Sequence, residues 1–131
     1  MRVSRWVALS SNAPTFYYMT ELQEFFEKHI NIIKNNRCKC EECGAGLKGR
    51  HGEVAHILNK SYFKSVATDD ENVIYLCDHF SDNNCHGKLD NSSLSIVKEM
   101  RIYNKLKETF EKIRDRVEET INYKIEDRFG S

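Results

Sequence analysis

The sequence predicts an α+β fold, in which a small metal-stapled core sits between an N-terminal helix and a long C-terminal helical segment. Three observations predict it. Apolar residues recur at intervals of three or four toward both ends of the chain, the period of an amphipathic helix. The middle holds two short apolar runs of strand length, at 52–58 and 73–77. The cysteines Cys38, Cys40, Cys43, Cys77 and Cys85 bracket those runs. At 131 residues the chain fits one domain, with a core at 37–92, an N-terminal helix over about 20–36 and a C-terminal segment over about 93–125.

Taken in order, residues 1–19 are mixed. Trp6, Phe16, Tyr17 and Tyr18 read as short extended pieces packed on the core, and Pro14 as an early turn. Thr20 with Gln23 has the spacing of a capping box and opens a helix. Leu22, Phe25, Phe26, His29, Ile30 and Ile33 follow at helical spacing, and Asn35–Asn36 ends the run. Residues 37–50 suit a tight metal-binding turn. The run 52–58 reads as a strand, 60–66 as a helical turn, 68–72 as a polar loop and 73–77 as a second strand. From Ser93 onward Val97, Met100, Tyr103, Leu106, Phe110, Ile113, Val117 and Ile121 step by three or four. That stripe implies one long helix, or two broken near Asn104, packed on the N-terminal helix or closing a homodimer.

Composition sets limits on function. Hydrophobic residues make up 40% of the chain and aromatics 11%, enough for a modest core. The formal net charge is zero, from 20 basic and 20 acidic residues, so nucleic acid could be held only by a local basic patch. No apolar run reaches membrane-spanning length, and Arg2 and Arg5 are followed by too short an apolar stretch for a signal peptide. The expected location is cytoplasmic, with no membrane partner.

In a reducing compartment clustered cysteines bind metal rather than forming disulfides. Cys40-Glu-Glu-Cys43-Gly44 has the form of a zinc knuckle: two intervening residues let both sulfurs face one ion, and the glycine lets the backbone fold back. Cys77 and Cys85 supply the remaining two ligands of a structural Zn²⁺ site, with Asp78 to Asn84 looped out between them. Cys38 is spare. His79 is the alternative to Cys85 as a ligand, and four buried free thiols are the bland alternative to a metal site.

Downstream of the knuckle come Glu53-Val-Ala-His56, then Asn72, then Cys85-His86-Gly-Lys-Leu-Asp90. In order and spacing this stretch of residues 40–90 resembles the HNH endonuclease family, whose ββα-metal motif often lies between paired zinc cysteines. The resemblance implies hydrolysis of DNA phosphodiester bonds. In that reading His56 is the general base, and Asn72 ties the loop that holds the base in register. A divalent ion, Mg²⁺ or Mn²⁺, is gripped by His86 and Asp90. On a helix those two residues share a face, and Cys85 points about 100° away toward the zinc. Family members carry a ligand directly before the base. Here that position is Ala55, and Glu53, two residues back on a strand, is the candidate substitute.

Lys48, Arg50, Lys60, Lys64 and Lys88 surround the proposed site and are candidate phosphate contacts. His29 and His51 read as packed or surface histidines, although His51 lies close enough to contact phosphate. A compact domain of this kind suits a phage or other mobile element. The rival, which Ala55 favours, is a non-catalytic zinc module that binds nucleic acid or protein.

Overall fold

The computed structural model describes residues 13–119. The first helix, α1 (Ala13–Asn36), is 24 residues long and starts seven residues before Thr20. Pro14 falls in its first turn, where a missing N–H leaves no hydrogen bond unmade. The early turn and the Thr20–Gln23 capping box expected from the sequence are therefore corrected. Phe16, Tyr17 and Tyr18 lie on the helix rather than in extended pieces, and Thr20 is buried within it. The expectation for Trp6 falls outside the described residues, as does that for Ile121. The helix does end at Asn36. Arg37 adopts the left-handed conformation (φ 48°), and the Cys38 N–H donates to the Ile33 carbonyl at 3.1 Å, which closes the helix as a Schellman motif.

The chain then turns back on itself. Lys39 bridges Gly46, the Cys40 N–H donates to Ala45 O, and the Gly44 N–H donates to Cys40 O. Gly44, at φ +82°, makes this reversal possible. After a 3₁₀ turn at His51–Glu53 come β1 (Val54–His56) and β2 (Val73–Tyr75), an antiparallel pair in which Ala55 faces Ile74. A second 3₁₀ turn, Lys64–Val66, lies in the connection. Three helices follow: α2 (Cys85–Asn91), α3 (Leu94–Lys98) and α4 (Tyr103–Ile113).

Alternation along the strands sends their side chains to two faces. Val54 packs with Phe25, Phe26 and Ile33 of α1, joined by the half-buried Val73 and Tyr75. Ala55 and Ile74 point the other way, into a larger core with Leu58, Leu76, Val97, Leu106, Phe110 and Ile113. The apolar stripe of α4 therefore packs across the opposite face of the hairpin from α1, not on α1 itself. Leu106, Phe110 and Ile113 of that stripe are completely buried in this chain's own core.

The C-terminal segment breaks at 99–102 rather than near Asn104. Met100 and Ile102 are both buried, and their two-residue spacing cannot place both on one face of a continuous helix. The Ile102 N–H, at the start of α4, donates to the Glu42 carboxylate of the knuckle, and Lys105 pairs with Glu41. The knuckle is thus pinned to α4 by the favourable meeting of an acidic side chain with a helix N-terminus. No helix among the described residues is long and apolar enough to cross a membrane.

Candidate functional site

Cys40, Cys43, Cys77 and Cys85 bring their Sγ atoms within 4.8 Å of one another. Cys43 Sγ lies 3.8 Å from Cys77 Sγ. A zinc ion bound by sulfur at about 2.3 Å has tetrahedral edges of about 3.8 Å. Backbone N–H groups back the sulfurs: Cys43 N lies 3.5 Å from Cys40 Sγ, and Cys85 N lies 3.3 Å from Cys77 Sγ. Burial raises the thiol pKa of Cys40 and of Cys85. Burial also pushes Cys43 upward, but hydrogen bonds from Asn83 and the Ala45 backbone outweigh it and bring that thiol to about 6. Sulfurs this close cannot all ionise without a cation between them, and the donor set is compatible with a structural zinc. Cys38 stands outside the cluster, its thiol directed at the Ile32 carbonyl. His79 is exposed and is not among the four ligands.

Helix α2 turns one short segment to two uses. Asn84 precedes it in the left-handed region (φ 38°) and caps it, its Oδ1 accepting from the Gly87 N–H at 3.1 Å. A side chain at position 87 would collide with Asn84, with a Cβ only 2.5 Å from its amide nitrogen. Cys85 points inward to the sulfur cluster, while His86 and Asp90 lie one turn apart along a cleft of about 250 Å³. His86 Nδ1–H donates to the Gly52 carbonyl at 2.6 Å, which leaves Nε2 as the nitrogen 3.2 Å from Asp90 Oδ2. The bond to Asp90 raises the His86 pKa, against the opposing effect of burial.

His56 lines the same cleft from β1. Its Nε2 lies 2.7 Å from the Ala67 carbonyl, and because a carbonyl only accepts, Nε2 carries the proton and Nδ1 the lone pair. Phe25 stacks on the ring at 5.3 Å. Burial drives the His56 pKa down to about 4, so the ring is neutral at physiological pH. Asn72 supports this arrangement from below. It is fully buried, its Oδ1 accepts from Leu58 N, and its Nδ2 donates to the carbonyls of Leu58 and Val66. It thereby ties the exit of β1 to the turn whose next residue, Ala67, holds His56.

Two expected roles are corrected. The Glu53 carboxylate does not reach the cleft. It is 1% exposed and accepts the backbone N–H groups of Lys48, Gly49 and Arg50, bracing the loop after the knuckle. Glu53 sits in a 3₁₀ turn, so strand alternation does not govern its direction. Arg50 donates two hydrogen bonds, of 2.8 and 2.9 Å, to the buried Asp78, so that edge of its guanidinium is not open to phosphate. Among the other basic residues, Lys60 lines the cleft, whereas Lys48, Lys64 and Lys88 are exposed and line neither it nor its neighbour.

His51, read from sequence as a packed or surface residue, is a third cleft histidine, stacked on Phe26 at 3.9 Å. Burial lowers its pKa, with the charges of Lys60 and His86 adding to the effect. Its position depends on Phe26 of α1, and no local pattern signals that contact. Gly52, whose carbonyl fixes the His86 tautomer, carries no side-chain signal at all. By contrast His29 is buried between Tyr75 Oη (2.6 Å) and Asp70 (2.9 Å), where it fastens α1 to β2 and the preceding loop.

A second cleft, of about 320 Å³, shares Gly52, His86 and Asp90 with the first and adds His79, Asn84 and Asn91. The His86–Asp90 pair is thus the ridge between two adjoining depressions. Comparison of the chain with protein-family models, curated proteins and solved structures finds no match.

Proposed function

We propose that this protein is a metal-dependent endonuclease of the HNH type that hydrolyses DNA phosphodiester bonds. The observation that carries the reading is the pairing, in one cleft, of a neutral histidine of defined tautomer with a His–Asp pair of metal-ligand spacing. The 3.2 Å between His86 Nε2 and Asp90 Oδ2 is close to the edge of an octahedron with ligands at 2.0–2.1 Å, about 3 Å. Those two atoms would hold Mg²⁺ or Mn²⁺, leaving the other positions to water and substrate oxygens, as is usual for such ions. The ion, when bound, supplies a Lewis acid for the charge that develops on the phosphate and the leaving oxygen.

The chain's own residues do the rest. His56 offers Nδ1 to the attacking water and takes its proton, while Ala67 O steadies the resulting imidazolium through Nε2–H. Asn72 donates to the carbonyl of Val66, the residue before Ala67, and so anchors that turn. Lys60 supplies positive charge along the cleft for the phosphate chain. His86 donates its Nδ1–H to Gly52 O, which leaves Nε2 as the lone-pair nitrogen for the ion.

Ala55 is buried against the larger core, on the opposite face of β1 from His56, so the position before the base contributes no ligand. That feature supports the second reading, a zinc-stabilised module that binds nucleic acid or protein without cleaving it. Plasmid nicking with Mg²⁺ or Mn²⁺, comparing the native chain with His56→Ala, tests the two. Nicking by the native chain that is lost in the variant supports the nuclease. Equal nicking by both removes the catalytic role of His56, and inactivity of the native chain with every divalent ion leaves the binding module.

A further inference from the structure

Resting on the nuclease reading, we propose that Phe80, whose ring packs against His79 of the second cleft, is a stacking platform for an unpaired base of single-stranded DNA whose phosphate lies at the His86–Asp90 ridge. Three large hydrophobic side chains are strongly exposed among the described residues: Tyr62, Phe80 and Ile96. Phe80 is 70% exposed, has no polar tip to justify that position, and belongs to the loop that separates Cys77 from Cys85. Zinc turns typically have two to four residues between their cysteines, and this loop has seven. The extra chain is not needed for the metal; it carries His79 and Phe80.

The backbone that presents the ring is held in place. Both ends of the loop are sulfur ligands of the cluster. Asp78, itself buried, accepts the Phe80 N–H at Oδ1, and its carbonyl accepts the Ser81 N–H. The same carboxylate clamps Arg50, whose guanidinium lies over the Phe80 ring at 5.1 Å from the centroid. His79, with its ring centroid 4.1 Å from that of Phe80, lines the second cleft together with Asn84, Asn91, His86 and Asp90. An exposed ring backed by a guanidinium, next to a depression that carries His79 and the amide side chains of Asn84 and Asn91, offers the elements that bind single strands. The ring stacks on a base, the cation strengthens the stack, and polar groups meet the backbone. A base inside a duplex presents no face to such a ring, so the platform selects unpaired DNA.

The test compares two fluorescent 16-mers of equal charge, oligo-dT and an abasic strand, by anisotropy without added Mg²⁺ or Mn²⁺. Phe80→Ala is expected to weaken oligo-dT binding by about 5- to 100-fold and leave abasic binding unchanged, and Phe80→Trp is expected to restore it. Ile96→Ala, which removes an exposed apolar side chain outside both clefts, should change neither. Undiminished oligo-dT binding in Phe80→Ala, an equal loss on both strands, or the same loss in Ile96→Ala would each overturn the platform. If nicking persists in those cases, the nuclease reading survives alone. If the native chain neither binds either oligomer nor nicks plasmid, the nuclease reading falls and the platform with it.

Discussion

Two sites share the hairpin and helix α2, and they are built on opposite plans. At the sulfur cluster four potential ligand atoms crowd within 4.8 Å, three of the four cysteines are buried, and a tetrahedral ion held there would have no position left over. At the cleft, a nitrogen and an oxygen stand 3.2 Å apart beside open space, with an uncharged histidine nearby. A closed set of four ligands leaves no position for a substrate, whereas an open pair leaves room beside it for water or substrate oxygens. Adjacent residues of one helix, Cys85 and His86, serve the two plans because neighbouring side chains diverge by about 100°.

The largest effect that separates the two regions is expected at the sulfurs. Cys77→Ser should abolish the cooperative thermal melt and release the bound zinc, since zinc in small domains contributes roughly 10–16 kcal/mol, as much as a whole domain's stability. Cys38→Ser should leave both the melt and the zinc content as they are. A folded, zinc-loaded Cys77→Ser would mean that the cluster is not the staple.

His56→Ala should do the reverse. Nicking is expected to fall by about 10²- to 10⁴-fold, with zinc content unchanged by metal analysis. Loss of zinc in this variant would show that the two regions are not independent. Asn72→Ala lies between the two plans. It strands the Leu58 N–H and carbonyl and removes one of the two hydrogen bonds to the Val66 carbonyl, so the melt should register a loss of about 1–3 kcal/mol. Nicking should fall as well, because the Ala67 carbonyl loses its support. An unchanged rate with a lowered melt would restrict Asn72 to stability.

The smallest effects concern pH, and here the two cleft histidines act with opposite sign. His56 titrates near 6.5 when unfolded and at about 4 in the fold, so the unfolded chain takes up its proton first. Its contribution to stability is full above pH 6.5 and is lost as pH falls toward 4. His86 has a raised pKa, so its pairing with Asp90 stabilises below 6.5, and that contribution is lost as pH rises through the raised value. Melts of His56→Ala and His86→Ala recorded from pH 4.5 to 8 should therefore differ from the native curve in opposite directions. The acid limb of nicking should follow His86, which must shed its proton to ligate, and should move to lower pH as the metal concentration is raised. A limb near 4 that does not move would assign it to His56 instead.

Cys40 and Cys43 were legible in the sequence because knuckle geometry is local: two residues between ligands and a glycine after them suffice, whereas Cys77 and Cys85 reach the knuckle only through the fold. The pairing of His86 with Asp90 was legible for the same reason, being a matter of one helical turn. The two strands and the end of α1 followed from apolar runs and an asparagine pair. The start of α1 did not, because Pro14 serves equally as a turn residue or as a first-turn helix residue. Glu53 was misplaced because alternation was extended one residue beyond the strand, into a turn where three backbone N–H groups capture its carboxylate. Arg50 was misplaced because its partner, Asp78, is 28 residues away.

By itself, then, the sequence determined which residues could bind metal and which short elements carry them, since ligand spacing and helical period act over a few residues. Only the tertiary structure decided what those residues face. The hairpin has two apolar faces, and α1 covers one while α4 covers the other, which turns Ala55 into core and His56 toward the cleft. Contacts from distant segments then set the tautomers: Ala67 O for His56 and Gly52 O for His86. A proton's place on an imidazole depends on what lies across a hydrogen bond, and that partner is chosen by packing, not by spacing along the chain.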